Sequence, residues 1–373
     1  MKLMAALLTA VLLLPTAGFA DWWNDTNDWD RGEWDNGFFD DLRGWGENIF
    51  GSNNRNYGNN RPGHGNATTG RAGRLNGQVK QNRKPWSGDW WPRGQCGLAF
   101  KNTGGGLSPF EKYDTIVYNF YGRVPGATAW EADPSHNHND APRQGASWAG
   151  HCNGLAAASI LTPEPRRNVR IPLNKGRCVK LTWPNARSCR FGLFRDGQFD
   201  YQYYQAREVT LTIDDMKGWL SEVYMNCQTQ QVGSNIAGNR YNNSTINYND
   251  PSFQDIHPHN YHYLLDTYVR QRGQSFVSEV DPHAPVNNHP VYAFECDMRP
   301  AQGYTYCKTR VHHTDYATRS NFVGTNTMTR TYEYALVTDG SGRITRGQWV
   351  GGSVSKHPDF IWIPVADRAP YGT

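Results

Sequence analysis

Trp148-Ala149-Gly150-His151-Cys152-Asn153-Gly154-Leu155-Ala156-Ala157-Ala158 is a Gly-rich approach that becomes an Ala-rich run at a cysteine. Ala and Leu favour a helix, and the glycines ahead of them do not. The pattern predicts a helix that starts at Cys152, runs through Leu161 and is stopped by Pro163. A sulfur at a helix N-terminus lies among unpaired N–H groups and the positive end of the helix dipole. Both favour the thiolate, the form that attacks carbonyl carbon. The Cys152 N–H and Asn153 are then candidate donors to an oxyanion. His151, next to the nucleophile in sequence, is expected to point elsewhere and to support the site from behind.

The rest of the chain is consistent with an exported cysteine enzyme. Residues 1–20 carry Lys2, an apolar run from Met4 to Leu14 and a small-residue site at Gly18-Phe19-Ala20, the pattern of a cleaved signal peptide. No later stretch is long and apolar enough to span a membrane. The expected location is secreted or periplasmic, where disulfides form. A net charge of only +4 over 373 residues argues against a nucleic-acid partner. Residues 21–50 are acidic and Trp-rich, residues 51–84 are a basic Gly/Asn-rich linker, and the catalytic domain is expected over 85–373. The seven cysteines are an odd number, so one thiol is left over if the rest pair, and Cys152 is the candidate. Cys178 with Cys189 and Cys296 with Cys307 are plausible local bridges, which leaves Cys96 with Cys227, although sequence does not fix connectivity.

A strand over Val209–Ile213, a helix from Asp214 or Asp215 to Asn226 and another from Pro258 to Arg272 follow from spacing and caps. From Ser275 the period changes to two, giving strands at Ser275–Val280, Pro290–Cys296, Tyr304–Arg310, Thr327–Val337 and Gly347–Val350. Helices first and an antiparallel sheet later indicate an α+β fold. A cysteine helix packed on a sheet that carries histidine and an acid is the layout of papain-like enzymes, and a distant papain-like fold is expected.

Acyl transfer by cysteine also needs a base and a group that orients it. Asp255-Ile256-His257-Pro258-His259-Asn260-Tyr261-His262 offers an acid and three histidines within one turn, with His262 on the apolar stripe of its helix. His289 opens a strand and is an alternative base. His357 and Asp359 are the last candidates. His312, His313 and Asp315 read mainly as surface. His136-Asn137-His138 has a spacing that soft metals accept but lacks a complementary pair. No phosphate loop, dinucleotide fingerprint or EF-hand pattern is present.

The stretch from Trp148 to Ala156 resembles the cysteine motif of the transglutaminase elicitor family, known from secreted oomycete proteins and also from bacterial members. The likeness continues through Asp215-Met216-Lys217-Gly218-Trp219-Leu220, Asp255 to His262, Ser275-Phe276-Val277, Val286-Asn287-Asn288-His289-Pro290-Val291, Gly347-Gln348-Trp349 and His357-Pro358-Asp359-Phe360-Ile361-Trp362. It spans about Trp86 to Pro364 in consistent order. The resemblance implies acyl transfer from a protein or peptide glutamine to a primary amine, with ammonia released. It implies a Cys-His-Asp mechanism and, in some relatives, Ca²⁺ dependence; the chemistry itself requires no cofactor. Cys152 stands at the nucleophile, and Asp255 with His257 or His262 is the preferred carry-over for the remaining pair. The Val286–Val291 strand, read as a surface strand, departs from the oomycete pattern at Asn287, where Trp stands, and at His289, where Gln stands. Those changes bear on recognition by plant hosts.

The expected function is therefore an exported transglutaminase that crosslinks through a thioester. Water in place of the amine would make it a deamidase or a cysteine peptidase or amidase. A reading of another class is an inactive secreted binding protein on an enzyme scaffold.

Overall fold

In this computed structural model, residues 73–92, 95–99, 106–132, 150–182, 200–229, 234–237, 255–280, 286–317, 319 and 321–364 are described. The signal peptide, the 21–50 segment, the His136–His138 loop and Cys189 lie outside them, as does the Cys227 side chain.

In chain order the elements are β1 (Gly73–Gln78), α1 (Pro109–Tyr121), α2 (Ala127–Ala132), α3 (Cys152–Leu161), β2 (Val169–Pro172), β3 (Arg177–Thr182), β4 (Asp200–Gln205), β5 (Glu208–Leu211), α4 (Ile213–Thr229), β6 (Ser234–Ala237), α5 (Pro258–Leu264), β7 (Phe276–Glu279), β8 (Asn288–Ala301), β9 (Tyr304–Asp315), β10 (Asn326–Thr338), β11 (Ile344–Trp349) and β12 (Ile361–Pro364). Helix α5 continues as a π-helical stretch over Leu265–Gln271. The period-two residues build an antiparallel sheet in the order β11-β10-β9-β8-β7-β12-β6, with β1 added on β8. Two small hairpin-like pairs, β2 with β5 and β3 with β4, lie outside it. The fold is α+β, with the cysteine helix packed on an antiparallel sheet.

The sheet has two covered faces, and alternation along its strands assigns residues to them. Phe276 of β7 and Ile361 and Ile363 of β12 join the core beneath α5, together with Tyr261, Leu264, Leu265, Val291 and Phe294. Val277 and Trp362, their alternate neighbours, join the core beneath α3 and α4, with Leu155, Ala156, Ile160, Leu220 and Val223. Helices α3 and α5 therefore serve opposite faces. A third core joins α1 to α4, β2 and β5 through Phe110, Ile116, Ile171, Leu211 and Trp219.

Helix α1 was not foreseen, although its signal is present. Ser108 Oγ accepts the Glu111 N–H at 3.1 Å and Glu111 Oε2 accepts the Ser108 N–H at 2.9 Å, a reciprocal cap with Pro109 at the first turn. Gly122 closes the helix at φ 82°. The 51–84 linker is corrected in its last part: residues 73–78 form β1, in register with Met298 to Ala293 of β8. Backbone pairing orders this segment, and Leu75 alone packs on the core.

Three expectations about bridges and surfaces also change. Cys178, Cys296 and Cys307 are free thiols, as Cys152 is, so neither Cys178–Cys189 nor Cys296–Cys307 is bridged here. In the β8–β9 ladder Cys296 faces Thr309 and Cys307 faces Met298. The two cysteines are diagonal neighbours, a spacing too wide for a relaxed disulfide. The Cys96–Cys227 pairing lies outside the described residues at Cys227. His313, read as surface, is fully buried in β9, and the Val286–Val291 strand is an interior one, with Asn288 through Phe294 buried.

Candidate active site

Helix α3 is buried along almost its whole length, Cys152 at its N-terminus included. Two glycines of the motif allow this. A Cβ at Gly154 would lie 1.9 Å from the Ser221 carbonyl oxygen of α4, and one at Gly150 would lie 2.6 Å from the Trp90 carbonyl oxygen. The close contact of α3 with α4 and of the approach loop with Trp90 therefore requires glycine at both positions.

Among the described residues, the polar groups around the sulfur come from Asn153, Val286, Asn288 and Tyr316. The thiol donates toward the Val286 carbonyl at 3.7 Å. Asn288 Nδ2 donates toward Sγ at 3.8 Å. The orientation of this amide is physically fixed. Trp362 Nε1, which can only donate, gives its hydrogen to Asn288 Oδ1 at 2.9 Å, leaving Nδ2 for the sulfur. Tyr316 OH donates to the Asn288 carbonyl at 3.3 Å. Burial pushes the Cys152 thiol above its usual range, and the Asn288 N–H and amide, the Tyr316 hydroxyl and the Asn153 N–H pull it back in part. The surroundings are thus a cup of donors for a thiolate or an oxyanion.

His151 sits behind the cup. Its Nε2 lies 2.8 Å from Glu222 Oε2 and 3.6 Å from Glu131 Oε1, and its Nδ1 lies 3.3 Å from the Trp91 carbonyl. Burial alone would lower its pKa, but the two carboxylates outweigh that and hold it up to about 9. The side chain is a buried imidazolium, turned to carboxylates and not to Cys152. On the strand side, Glu279 is fully buried, stands directly opposite Asn288 in the β7–β8 ladder, and its Oε1 accepts the Asn287 N–H at 3.5 Å. It therefore backs the peptide whose other end, the Val286 carbonyl, faces the thiol.

The remaining predicted residues lie elsewhere. His262, the preferred base, extends from α5 into the opposite core, where Nδ1 meets Tyr334 OH at 2.8 Å. His257 stacks on His259 with centroids 5.4 Å apart. Asp255 Oδ2 pairs with His357 Nε2 at 3.2 Å, and the His357 Nδ1 lies 2.8 Å from the Ser353 carbonyl. Burial lowers the His357 pKa, but Asp255 more than offsets it and the net shift is upward. The His357 ring stacks on Trp349 of the α5 core. Asp359 supports it through the backbone, its carbonyl accepting the Ile256 N–H at 2.9 Å. The acid–histidine pair expected from one turn thus exists as Asp255–His357, on the face away from Cys152. His289 is buried with Nδ1 at 2.9 Å from the Thr314 carbonyl and its ring 4.5 Å from that of Tyr316. Strand β8 turns Asn288 toward the sulfur.

Sequence reasoning missed Asn288 as a site residue, along with Tyr316, Glu279 and Trp362. A donor pointed at a thiol leaves no motif; the only sequence signal is an Asn at the head of a core strand. For Ca²⁺, the close side-chain group with two carboxylates among the described residues is Glu131, His151 and Glu222. Its centre is occupied by the charged His151 ring, so these residues do not offer the oxygen-rich shell that Ca²⁺ requires.

Residues 301–371, which include β10, β11 and β12, match the family model described as transglutaminase elicitor. A search of curated protein sequences finds no match. Among solved structures the chain is similar to the crystal structure of the GP42 transglutaminase from Phytophthora sojae, with a TM-score of 0.52 and 20% identity over 79% of this chain and 85% of that one. At that identity the likeness speaks for the fold. The C-terminal match and the shared fold together support the transglutaminase elicitor family as the family of this chain.

Proposed function

We propose that the chain is an exported cysteine acyltransferase of the transglutaminase type, with Cys152 as nucleophile. The observation that carries this reading is the set of donors converging on a buried sulfur at a helix N-terminus. The similarity of the fold to a protein named as a transglutaminase supports it. The thiol loses its proton as pH rises, and the Asn288 amide holds the resulting thiolate, joined by the Tyr316 hydroxyl when its proton turns from the Asn288 carbonyl to the sulfur. The sulfur then attacks a glutamine carboxamide carbon, and the carbonyl oxygen takes negative charge beside the same donors. As the C–N bond breaks, the nitrogen takes up a proton and leaves as ammonia. A primary amine attacks the thioester, loses a proton and releases the thiolate. Water in its place gives deamidation. The helix-borne cysteine facing a strand-borne amide supports the distant papain-like layout. A secreted or periplasmic location and glutamine-bearing protein substrates belong to the same proposal.

A second reading has its own observation: Asn288, held by Trp362, cannot accept the thiol proton, as a chain working only as a binding protein would tolerate. Incorporation of a fluorescent primary amine into a glutamine-containing protein, with ammonia release followed in parallel, separates the readings. Incorporation lost in Cys152→Ala supports the transferase, ammonia without incorporation supports the deamidase, and neither product supports the binding protein.

A further inference from the structure

We propose that His262, Cys296 and Cys307 form a binding site for a thiolate-seeking divalent ion, with Zn²⁺ the best fit, beneath α5 on the sheet face opposite Cys152. A ring nitrogen of His262 and the two Sγ atoms lie within 4.8 Å of one another, and all three residues are buried. His262 Nδ1 is taken by Tyr334 OH at 2.8 Å, whereas the buried Nε2 makes no hydrogen bond among the described residues. With the Nδ1 proton given to Tyr334, Nε2 presents a lone pair, the tautomer that a histidine ligand needs. Tyr334 OH is itself held by Thr309 Oγ1 at 2.8 Å and stands 3.9 Å from Cys296 Sγ. It orients the ring and closes the remaining side of the group.

The charge argues in the same direction. Zinc binds cysteine as the thiolate, and two thiolates with Zn²⁺ and a neutral imidazole make a group without net charge, the form an apolar core accepts. Two sulfurs and one nitrogen are the donors that zinc prefers. The diagonal register of Cys296 and Cys307 in the β8–β9 ladder works against the competing disulfide. The ion would tie α5 to β8 and β9, and it would enter as the chain folds.

The test uses the whole mature chain, purified without chelator in the presence of Zn²⁺. The expected result is an equimolar amount of zinc that survives dialysis, with Cys296 and Cys307 protected from alkylation and Cys152 not. Co²⁺ in its place gives thiolate-to-metal charge-transfer absorption. Tyr334→Phe, which removes only the orienting hydroxyl, weakens zinc about 10- to 100-fold, and Cys152→Ser keeps the metal. Absence of zinc from the reduced protein overturns the proposal. So does zinc retained undiminished in Cys296→Ser/Cys307→Ser, or a Cys296–Cys307 disulfide formed despite Zn²⁺. Should the double variant fail to fold, the cobalt spectrum and the alkylation pattern of the wild-type chain decide.

Discussion

A Cys152 thiol held up by burial has a measurable signature in its pH profile. A thiol paired with a histidinium ionises near pH 3–4, and an unassisted one at about 8.5. Burial pushes Cys152 above its usual range despite the donors of Asn288, Tyr316 and Asn153. At pH 6 less than about 0.3% of such a thiol is thiolate. Alkylation by iodoacetamide, followed at Cys152 by mass mapping to separate it from the other free thiols, should slow several hundredfold from pH 9 to pH 6. Removing the amide in Asn288→Ala takes away a donor 3.8 Å from the sulfur. A long hydrogen bond to an anion is worth about 1 kcal/mol, or somewhat less than one pKa unit. The variant should therefore react about three- to tenfold more slowly at pH 7. A rate that is flat between pH 5.5 and 8 would mean that an ion pair exists at the sulfur, and the reasoning from this geometry would be wrong. An Asn288→Ala rate equal to wild type would remove the amide from the account.

Other perturbations probe the scaffold beneath the site. His151 is held up to about 9 against an ordinary 6.5, so the stability it contributes is full below pH 6.5 and lost as pH rises through about 9, at most about 3 kcal/mol. Urea midpoints for wild type should fall across that window more steeply than for His151→Gln; equal slopes would contradict the buried imidazolium. Gly154→Ala places a methyl group 1.9 Å from the Ser221 carbonyl oxygen, and parting α3 from α4 should cost about 1–3 kcal/mol in denaturant melts. Lys217 is buried and bonds Glu164 Oε1 at 2.8 Å and the Phe322 carbonyl at 2.9 Å. Lys217→Ala should cost about 3–5 kcal/mol by stranding the Glu164 charge, with part of that recovered in Lys217→Met/Glu164→Gln.

What the sequence revealed and what it hid have physical causes. The start of α3 was readable because a helix-favouring Ala run follows residues that oppose one, and β9 and β10 were readable because buried residues alternate with exposed ones along them. The bounds of α5 held as well, although its last turns are π-helical. Strand β1 was hidden because Gly and Asn residues pair through the backbone and leave no hydrophobic pattern. Helix α1 was overlooked although Ser108 and Glu111 spell out its cap. The acid–histidine pair was placed by nearness in sequence, yet Asp255 found its partner at His357, far along the chain. Which face of the sheet a histidine serves depends on register, and register is a property of pairing that no single strand carries. For that reason His262 read as a base although it lies on the other side of the sheet from Cys152, and Asn288 passed unnoticed.

The most direct test of Cys152 as an acyl carrier is intact-mass spectrometry of the enzyme mixed briefly with a glutamine peptide, no amine added, and quenched in acid. The account predicts an adduct of the peptide mass less ammonia, mapped to Cys152, discharged by a primary amine and absent in Cys152→Ser. An adduct on another residue, or none under conditions where the peptide is consumed, would contradict it.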